Sequence, residues 1–308
     1  MKSCVLLAAH GTVQRLDELP DFLTVIRRGH APPPELVEEV RRRYAAIGGQ
    51  SPLLDTTRLV AAKLEAQIHV PTRVAMRLWN PRIADVVKAC ASEGFTRLVV
   101  LSLAQYSSHV YVGSVRDAVA ALGDGTRPEV VDVGPWGSHA GLLAVYASRV
   151  QAAWASIPEA ERGRTRLFFS AHSLPVAVIR GGDPYERDVR AAADTLRHML
   201  REVHGLTMDS DVIFQSQGMS AGPGGKPMEW LGPDVRAALD RAARDGMARV
   251  LFAPIGFLAD HVEILYDLDI EAAGWAQELG LAYQRTASPN ADDDFVAALA
   301  SVIAPHIA

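Results

Sequence analysis

Short apolar runs alternate along the chain with amphipathic stretches. In the first half, Val5–Ala9, Arg73–Leu78, Arg97–Leu103 and Val130–Val133 are apolar at nearly every position. That pattern predicts strands covered on both faces, as in a parallel sheet, rather than strands with one wet face. Between them, Leu16–Arg28 carries Leu19, Phe22, Leu23 and Ile26 at helical spacing. Glu35–Ile47, Thr57–Ile68, Ile83–Glu93 and a stretch from His109 to about Leu122 continue the helical pattern. In the second half the strands are Leu167–Phe169, Val212–Gln215 and Val250–Ala253, and the helices Leu142–Ala155, Tyr185–His204 and a stretch ending at Ala243. Gly218–Met228 is a loop rich in Gly and Pro. Strand and helix in regular alternation define an α/β protein.

The two halves echo each other. Residues 93–111 read EGFTRLVVLSLAQYSSHVY and residues 245–263 read DGMARVLFAPIGFLADHVE. Gly94 falls on Gly246, Arg97 on Arg249, His109 on His261 and Val110 on Val262, at one constant offset without a gap. Ala8-Ala9-His10-Gly11 after the first strand is echoed by Ser170-Ala171-His172-Ser173. The expected architecture is two doubly wound, Rossmann-like domains related by internal duplication, with the active site in the cleft between them. The loop at Gly134–Gly141, with Pro135 and Trp136, separates residues 1–140 from 141–308, and the terminal helix is free to pack back on the first domain.

Composition narrows the function. The 308 residues are 49% hydrophobic and 22% charged, ordinary for a soluble protein, and two domains fit the length. A net charge of −5 supplies no basic surface for nucleic acid. No apolar run reaches the roughly 20 residues of a spanning helix, and no signal segment precedes the first strand, so a cytoplasmic protein is expected. The two cysteines, Cys4 and Cys90, are too few for a four-thiolate iron–sulfur cluster and suggest no disulfide framework.

The candidate chemistry lies around two strand ends. After the strand Val250–Ala253, Asp260 predicts a helix N-cap with Glu263 three residues on. Glu263, Asp267 and Glu271 then recur every fourth residue, so a single helical face carries three carboxylates. Like charges so placed repel by a few tenths of a kcal/mol per pair. Such a row is either a solvated surface or a path for cations or protons. His172 and Glu263 both belong to the carboxyl edge of one sheet and can converge. One imidazole and one carboxylate suit a borderline divalent metal, yet two ligands are too few for a permanent structural site. Transient metal handling follows.

The motifs identify a family. Arg43-Tyr44-Ala45-Ala46-Ile47-Gly48-Gly49-Gln50-Ser51-Pro52-Leu53, Ser170-Ala171-His172-Ser173-Leu174-Pro175, Gly182-Asp183-Pro184-Tyr185, Gln215-Ser216, Trp230-Leu231-Gly232-Pro233 and Phe257-Leu258-Ala259-Asp260-His261-Val262-Glu263 follow in order. Over nearly its whole length the chain resembles the ferrochelatases. The resemblance implies insertion of Fe²⁺ into a porphyrin, with porphyrin and iron as substrates. It makes His172 and Glu263 the catalytic and metal-binding pair, with Asp267 and Glu271 as a proton or metal path. It places His10 where relatives carry Tyr or Met facing the iron, so His10 is expected as an axial ligand to porphyrin iron.

The segment Ile26-Arg27-Arg28-Gly29 and the motif after it are most similar to the monoderm-type enzymes that act on coproporphyrin III. By that likeness His10, Thr12, Arg27, Arg43, Tyr44 and Ser51 would bind the porphyrin, the arginines through bidentate bonds to its propionates. Val115 stands where a propionate-holding tyrosine occurs in that group, and Leu19-Pro20-Asp21-Phe22-Leu23 is similar to the protoporphyrin IX enzymes. Direct formation of protohaem is therefore the alternative. A monomer with no permanently bound cofactor is expected, in transient contact with the next haem-pathway enzyme. Other readings are a cobalt or nickel chelatase, against which the Trp230-Leu231-Gly232-Pro233 match speaks, and a porphyrin carrier that needs no Glu263 carboxylate. A dinucleotide enzyme would need a Gly-x-Gly-x-x-Gly turn after the first strand, and the chain has none there.

Overall fold

In the computed structural model, which describes residues 2–123, 125, 127–218 and 228–307, the apolar runs are the strands of two parallel sheets. The chain divides into two units. One comprises Met1–Gly141, Ala259–Val262 and Pro289–Ala308, the other Leu142–Leu258 and Glu263–Ser288.

The first unit opens with β1 (Ser3–Ala9), followed by α1 (Leu19–Ile26), α2 (Pro34–Ala46), α3 (Leu53–Ile68) and β2 (Thr72–Met76). It continues with α4 (Ile83–Ser92), β3 (Arg97–Ser102), α5 (Ser108–Ala120) and β4 (Glu129–Asp132). The strand order is β2-β1-β3-β4, all parallel. Leu6, Val100, Val87 and Val112 from β1, β3, α4 and α5 meet in one core, where Cys4 and Cys90 are buried free thiols.

In the second unit α6 (Ala140–Ala155) and the short α7 (Glu159–Arg162) lead to β5 (Thr165–His172). Then come α8 (Val176–Arg180), α9 (Tyr185–His204), β6 (Ser210–Gln215), α10 (Val235–Arg244) and β7 (Arg249–Ala253). After β7 lie α11 (Val262–Leu265), a π-helical segment (Asp267–Ala272), α12 (Ala273–Glu278) and β8 (Ala282–Arg285). Helix α13 (Asp293–Ile307) ends the chain in the first unit, where Lys63 Nζ reaches Asp293 Oδ1 at 2.6 Å and Phe295 stacks on Trp136. The second sheet has the order β6-β5-β7-β8, the order of the first sheet repeated.

The register repeats as well. In the first sheet Ser3 faces Arg97 and Leu7 faces Leu101; in the second Thr165 faces Arg249 and Phe169 faces Ala253. The glycines before β3 and β7 share a left-handed backbone, Gly94 at φ +77° and Gly246 at φ +75°. Both sheets therefore reverse their winding between the first and third strands of the unit, at β1/β3 and at β5/β7.

Three features differ from the sequence expectation. Strand β5 extends to His172 rather than stopping at Phe169. Strand β8 was not expected: its four residues are all half-buried and carry no apolar run, so only their pairing with β7 makes them a strand. The acidic helix after Glu263 is not one α-helix but a π-helical segment between two short α-helices. Asp260 precedes that helix by two residues and exchanges hydrogen bonds with Asn290, its backbone N–H donating to Asn290 Oδ1 and its Oδ2 accepting from Asn290 Nδ2. The Gly218–Met228 loop lies, apart from its two end residues, outside the described residues.

Gly256, just after β7, lies against the tip of β5. A Cβ there would stand 2.6 Å from Ala171 Cα and 3.3 Å from the His172 backbone nitrogen. Backbone cannot rotate away as a side chain can. Gly256→Ala is expected to cost about 1–3 kcal/mol, read from the urea unfolding midpoint; an unchanged midpoint would mean that β5 and β7 give way freely.

Candidate active site

Open α/β sheets hold ligands beyond the carboxyl ends of their strands, where the winding reverses. In the second unit that point lies between β5 and β7. His172 is the last residue of β5, and Glu263 lies in the first turn after β7, in α11. His172 Nδ1 stands 3.1 Å from Glu263 Oε2. The two side chains keep 35% and 30% of their surface exposed, so the pair is reachable from solvent but not bathed in it. Burial pulls the His172 imidazole downward, but the Glu263 charge and hydrogen bond, with Asp267 behind them, outweigh it and raise its pKa above the ordinary histidine value. Nδ1 is engaged by the carboxylate, and Nε2 takes no part in that contact. Among the described residues no group of three or more His, Cys, Asp or Glu side chains is arranged to hold a metal ion.

Neighbouring motifs build the support for this pair. Tyr185, which opens α9, donates its hydroxyl to the His172 carbonyl at 2.8 Å. The Ser173 N–H donates to the Gln215 carbonyl at 2.7 Å, and Ser173 Oγ donates to the Leu231 carbonyl at 2.9 Å. The Leu231 N–H returns a bond to Leu174. Pro175 and Trp230 form a bridge beside it. The Trp230-Leu231 segment thus fixes the loop that follows His172. Gln215 pairs with His172 across the sheet and is buried. Its side-chain amide donates to the Glu263 carbonyl at 2.8 Å, so the residue facing His172 also holds the backbone of His172's partner.

The π-helical segment changes the angular spacing of the carboxylates. Residues four apart drift by about 40° around an α-helix. The wider π turn takes that drift back, and such turns recur at functional sites. Asp267 is only 7% exposed, which excludes a fully solvated acidic face. Ser216 Oγ donates to Asp267 Oδ2 at 2.5 Å, the length of a charge-assisted bond. Ser216 holds a left-handed backbone, φ +58°, that a non-glycine residue adopts at a cost. Glu271 is half-buried. Asp269, on the same segment, is bound through both oxygens by Arg285 at 2.7 and 2.8 Å and is thereby separated in role from Asp267 and Glu271.

The remaining sequence candidates belong to the first unit. His10 follows β1 and is exposed. Its carbonyl accepts from the Leu78 N–H at 2.8 Å, and its Nδ1 lies 3.4 Å from Tyr111 Oη. Thr12 and Tyr44 are buried, and their hydroxyls meet at 2.9 Å. Arg27 caps the end of α1, and Arg43, in the last turn of α2, pairs with Glu39 at 2.6 Å. Ser51 is buried, and its Oγ accepts from the Leu53 N–H at 3.3 Å. The structure thus brings His172 together with Glu263, and Thr12 with Tyr44. Tyr111, Tyr185, Gln215 and Ser216 were not singled out as site residues; the family motifs quoted above contain the last three.

Two parallel sheets of one order, with an imidazole–carboxylate pair at the switch point of the second, make a duplicated, doubly wound α/β protein. SirB from Bacillus subtilis, solved with Fe³⁺, shares this fold at a TM-score of 0.58 and 16% identity, over 99% of this chain and 95% of that chain. The ferrochelatase family model matches residues 2–307. The ferrochelatase of Herpetosiphon aurantiacus is 36% identical over 310 residues, 98% of each chain. The coproporphyrin III ferrochelatase of Geobacillus kaustophilus is 35% identical over 308 residues, 97% of this chain and 94% of the relative. The chain belongs to the ferrochelatase family, enzymes of haem biosynthesis that insert iron into a porphyrin.

Two outcomes follow from the geometry. Glu263→Gln removes the charge that favours the imidazolium and leaves burial, which opposes it. The protonation midpoint of His172 should therefore move down, followed by NMR titration of the imidazole; a midpoint that stays or rises would show that Glu263 does not set it. Ser216→Gly and Ser216→Ala both lose the hydroxyl, but only glycine is at ease at φ +58°. Ser216→Gly should be the more stable of the two by about 1 kcal/mol, measured by denaturant unfolding; equal stabilities would mean that the turn is unstrained.

Proposed function

We propose that the enzyme inserts Fe²⁺ into coproporphyrin III, giving coprohaem. The observation that carries the metal-insertion chemistry is the 3.1 Å contact of His172 with Glu263 at the carboxyl edge of the second sheet. Insertion exchanges two pyrrole N–H protons for one dication, so the site must accept protons and present a metal on one face of the ring. His172 takes the two pyrrole protons in turn at Nε2, passing the first from Nδ1 to Glu263 and on to the acidic side chains behind it before it takes the second, and Glu263 stabilises the imidazolium at each step. Glu263 holds the incoming cation before transfer, and Asp267 and Glu271 carry cation or proton between the pair and solvent. A ring held out of plane turns its nitrogen lone pairs toward the metal, at a cost of a few kcal/mol drawn from binding elsewhere on the ring.

That binding is assigned to the first unit. Arg27 and Arg43 pair with propionates, and Thr12, Tyr44 and Ser51 donate hydroxyls to them. The buried Thr12–Tyr44 contact supports a preorganised cradle. His10, with an exposed ring, ligates the iron of the product axially through a neutral imidazole. The preference for four propionates rests on the likeness to coproporphyrin III ferrochelatases, among them that of Geobacillus kaustophilus. Among the described residues no helix is long and apolar enough to cross a membrane. The reading is of a cytoplasmic monomer that meets the next haem-pathway enzyme transiently and works without an iron–sulfur cluster.

The test is anaerobic Fe²⁺ insertion with coproporphyrin III and protoporphyrin IX side by side, followed by absorbance. A kcat/KM at least tenfold higher for coproporphyrin III is expected. Equal values, or a preference for protoporphyrin IX, would overturn the substrate assignment and leave the family untouched.

A further inference from the structure

The duplication places a second imidazole–oxygen pair in the molecule. The repeat that sets Gly94 on Gly246 and Arg97 on Arg249 ends by setting Tyr111 on Glu263. The strand-end motif sets His10 on His172. The sheets agree with this correspondence: Ser3 faces Arg97 as Thr165 faces Arg249, and Leu7 faces Leu101 as Phe169 faces Ala253. In both units the partner oxygen approaches the same ring nitrogen. Nδ1 of His172 lies 3.1 Å from Glu263 Oε2, and Nδ1 of His10 lies 3.4 Å from Tyr111 Oη. The duplication has kept the geometry and changed the chemistry, from a carboxylate to a phenol.

The geometry points to Tyr111 as the positioning residue of His10: its phenol oxygen accepts the Nδ1–H and presents Nε2, with its lone pair, to the iron of the porphyrin product. The inference rests on the reading of His10 as that iron's axial ligand. A histidine that binds a metal through one nitrogen is oriented by what the other nitrogen meets. Tyr111 suits the task. It sits in α5, is 6% exposed, and is packed into the first unit's core, so its oxygen is a fixed point. The Arg77 guanidinium lies 5.9 Å from its ring centroid, at the outer reach of a cation–π contact. The His10 backbone is held by the Leu78 N–H at 2.8 Å, so the imidazole torsions are the freedom Tyr111 removes. The difference between the pairs fits different tasks. A carboxylate favours a positively charged ring and so helps His172 accept protons. A neutral phenol favours no charge, and a ring that stays neutral keeps a lone pair for iron.

The test uses the full chain, first metal-free and then with ferric coprohaem. In the metal-free protein, two-bond ¹H–¹⁵N NMR should place the His10 proton on Nδ1; a majority on Nε2 would overturn the inference without any variant. Tyr111→Phe should release the ring to a mixture of tautomers and speed the loss of ferric coprohaem about tenfold. His10→Ala should abolish the histidine-ligated absorption and EPR signature. If His10→Ala leaves that signature unchanged, the ligand reading fails and the positioning role with it. If His10→Ala changes it but Tyr111→Phe keeps the Nδ1–H tautomer and the original dissociation rate, His10 remains the ligand and Tyr111 is not its positioning residue.

Discussion

The contact between an imidazole at the tip of one strand and a carboxylate in the turn after the next is what the second unit is built to hold. Two long-range constraints must be met at once, because His172 and Glu263 arrive from β5 and β7 by separate routes through the chain. The sheet supplies the coarse placement. The fine placement comes from polar contacts that act on backbone: Tyr185 on the His172 carbonyl, Gln215 on the Glu263 carbonyl, and Ser173 on Leu231. These contacts hold the backbone of the pair rather than its imidazole and carboxylate. A positional error near an ångström is enough to lose a catalytic hydrogen bond, which is why so many restraints converge on so few atoms.

Much of the fold was visible in the sequence for a physical reason. Strands covered on both faces must be apolar throughout, so the central strands stood out as runs, seven of the eight strands among the described residues could be read, and repetition of the strand–glycine pattern exposed the duplication. β8 escaped because an edge strand of four half-buried residues needs no apolar run. His172 and Glu263 could be placed on one sheet edge from the order of strands and helices, and the ferrochelatase motifs around them made them a pair. The π-helical segment could not be read there, since Val262, Leu265 and Leu268 keep an ordinary α-helical stripe. Ser216 escaped for a related reason. Glycine or asparagine would have advertised a left-handed turn, and serine does not; its place depends on the bond to Asp267.

The two units show how duplication separates tasks. Strand order, register and the glycine before the third strand are common to both. What differs is the residue that reaches each strand-end histidine. With Glu263, the His172 ring is drawn toward its charged form against the pull of burial. With Tyr111, the partner of His10 is a buried neutral oxygen. One scaffold therefore sets a carboxylate against one strand-end histidine and a phenol against the other.

The smallness of the metal-handling site is itself consistent with the proposed reaction. A structural zinc site closes its shell with four ligands and holds the ion with an apparent 10–16 kcal/mol. An ion so held would not move on to a porphyrin. On the proposed reading two protein ligands hold the ion far less firmly, and the acidic side chains behind them differ in setting: Asp267 is buried and bonded to Ser216, and Glu271 is half-buried. The third acid of the segment, Asp269, is occupied by Arg285 and adds no competing stop. A row of three free carboxylates would trap a dication on the way. On the proposed reading the path runs past one carboxylate tied to a serine and one nearer solvent, while the third is already paired with an arginine.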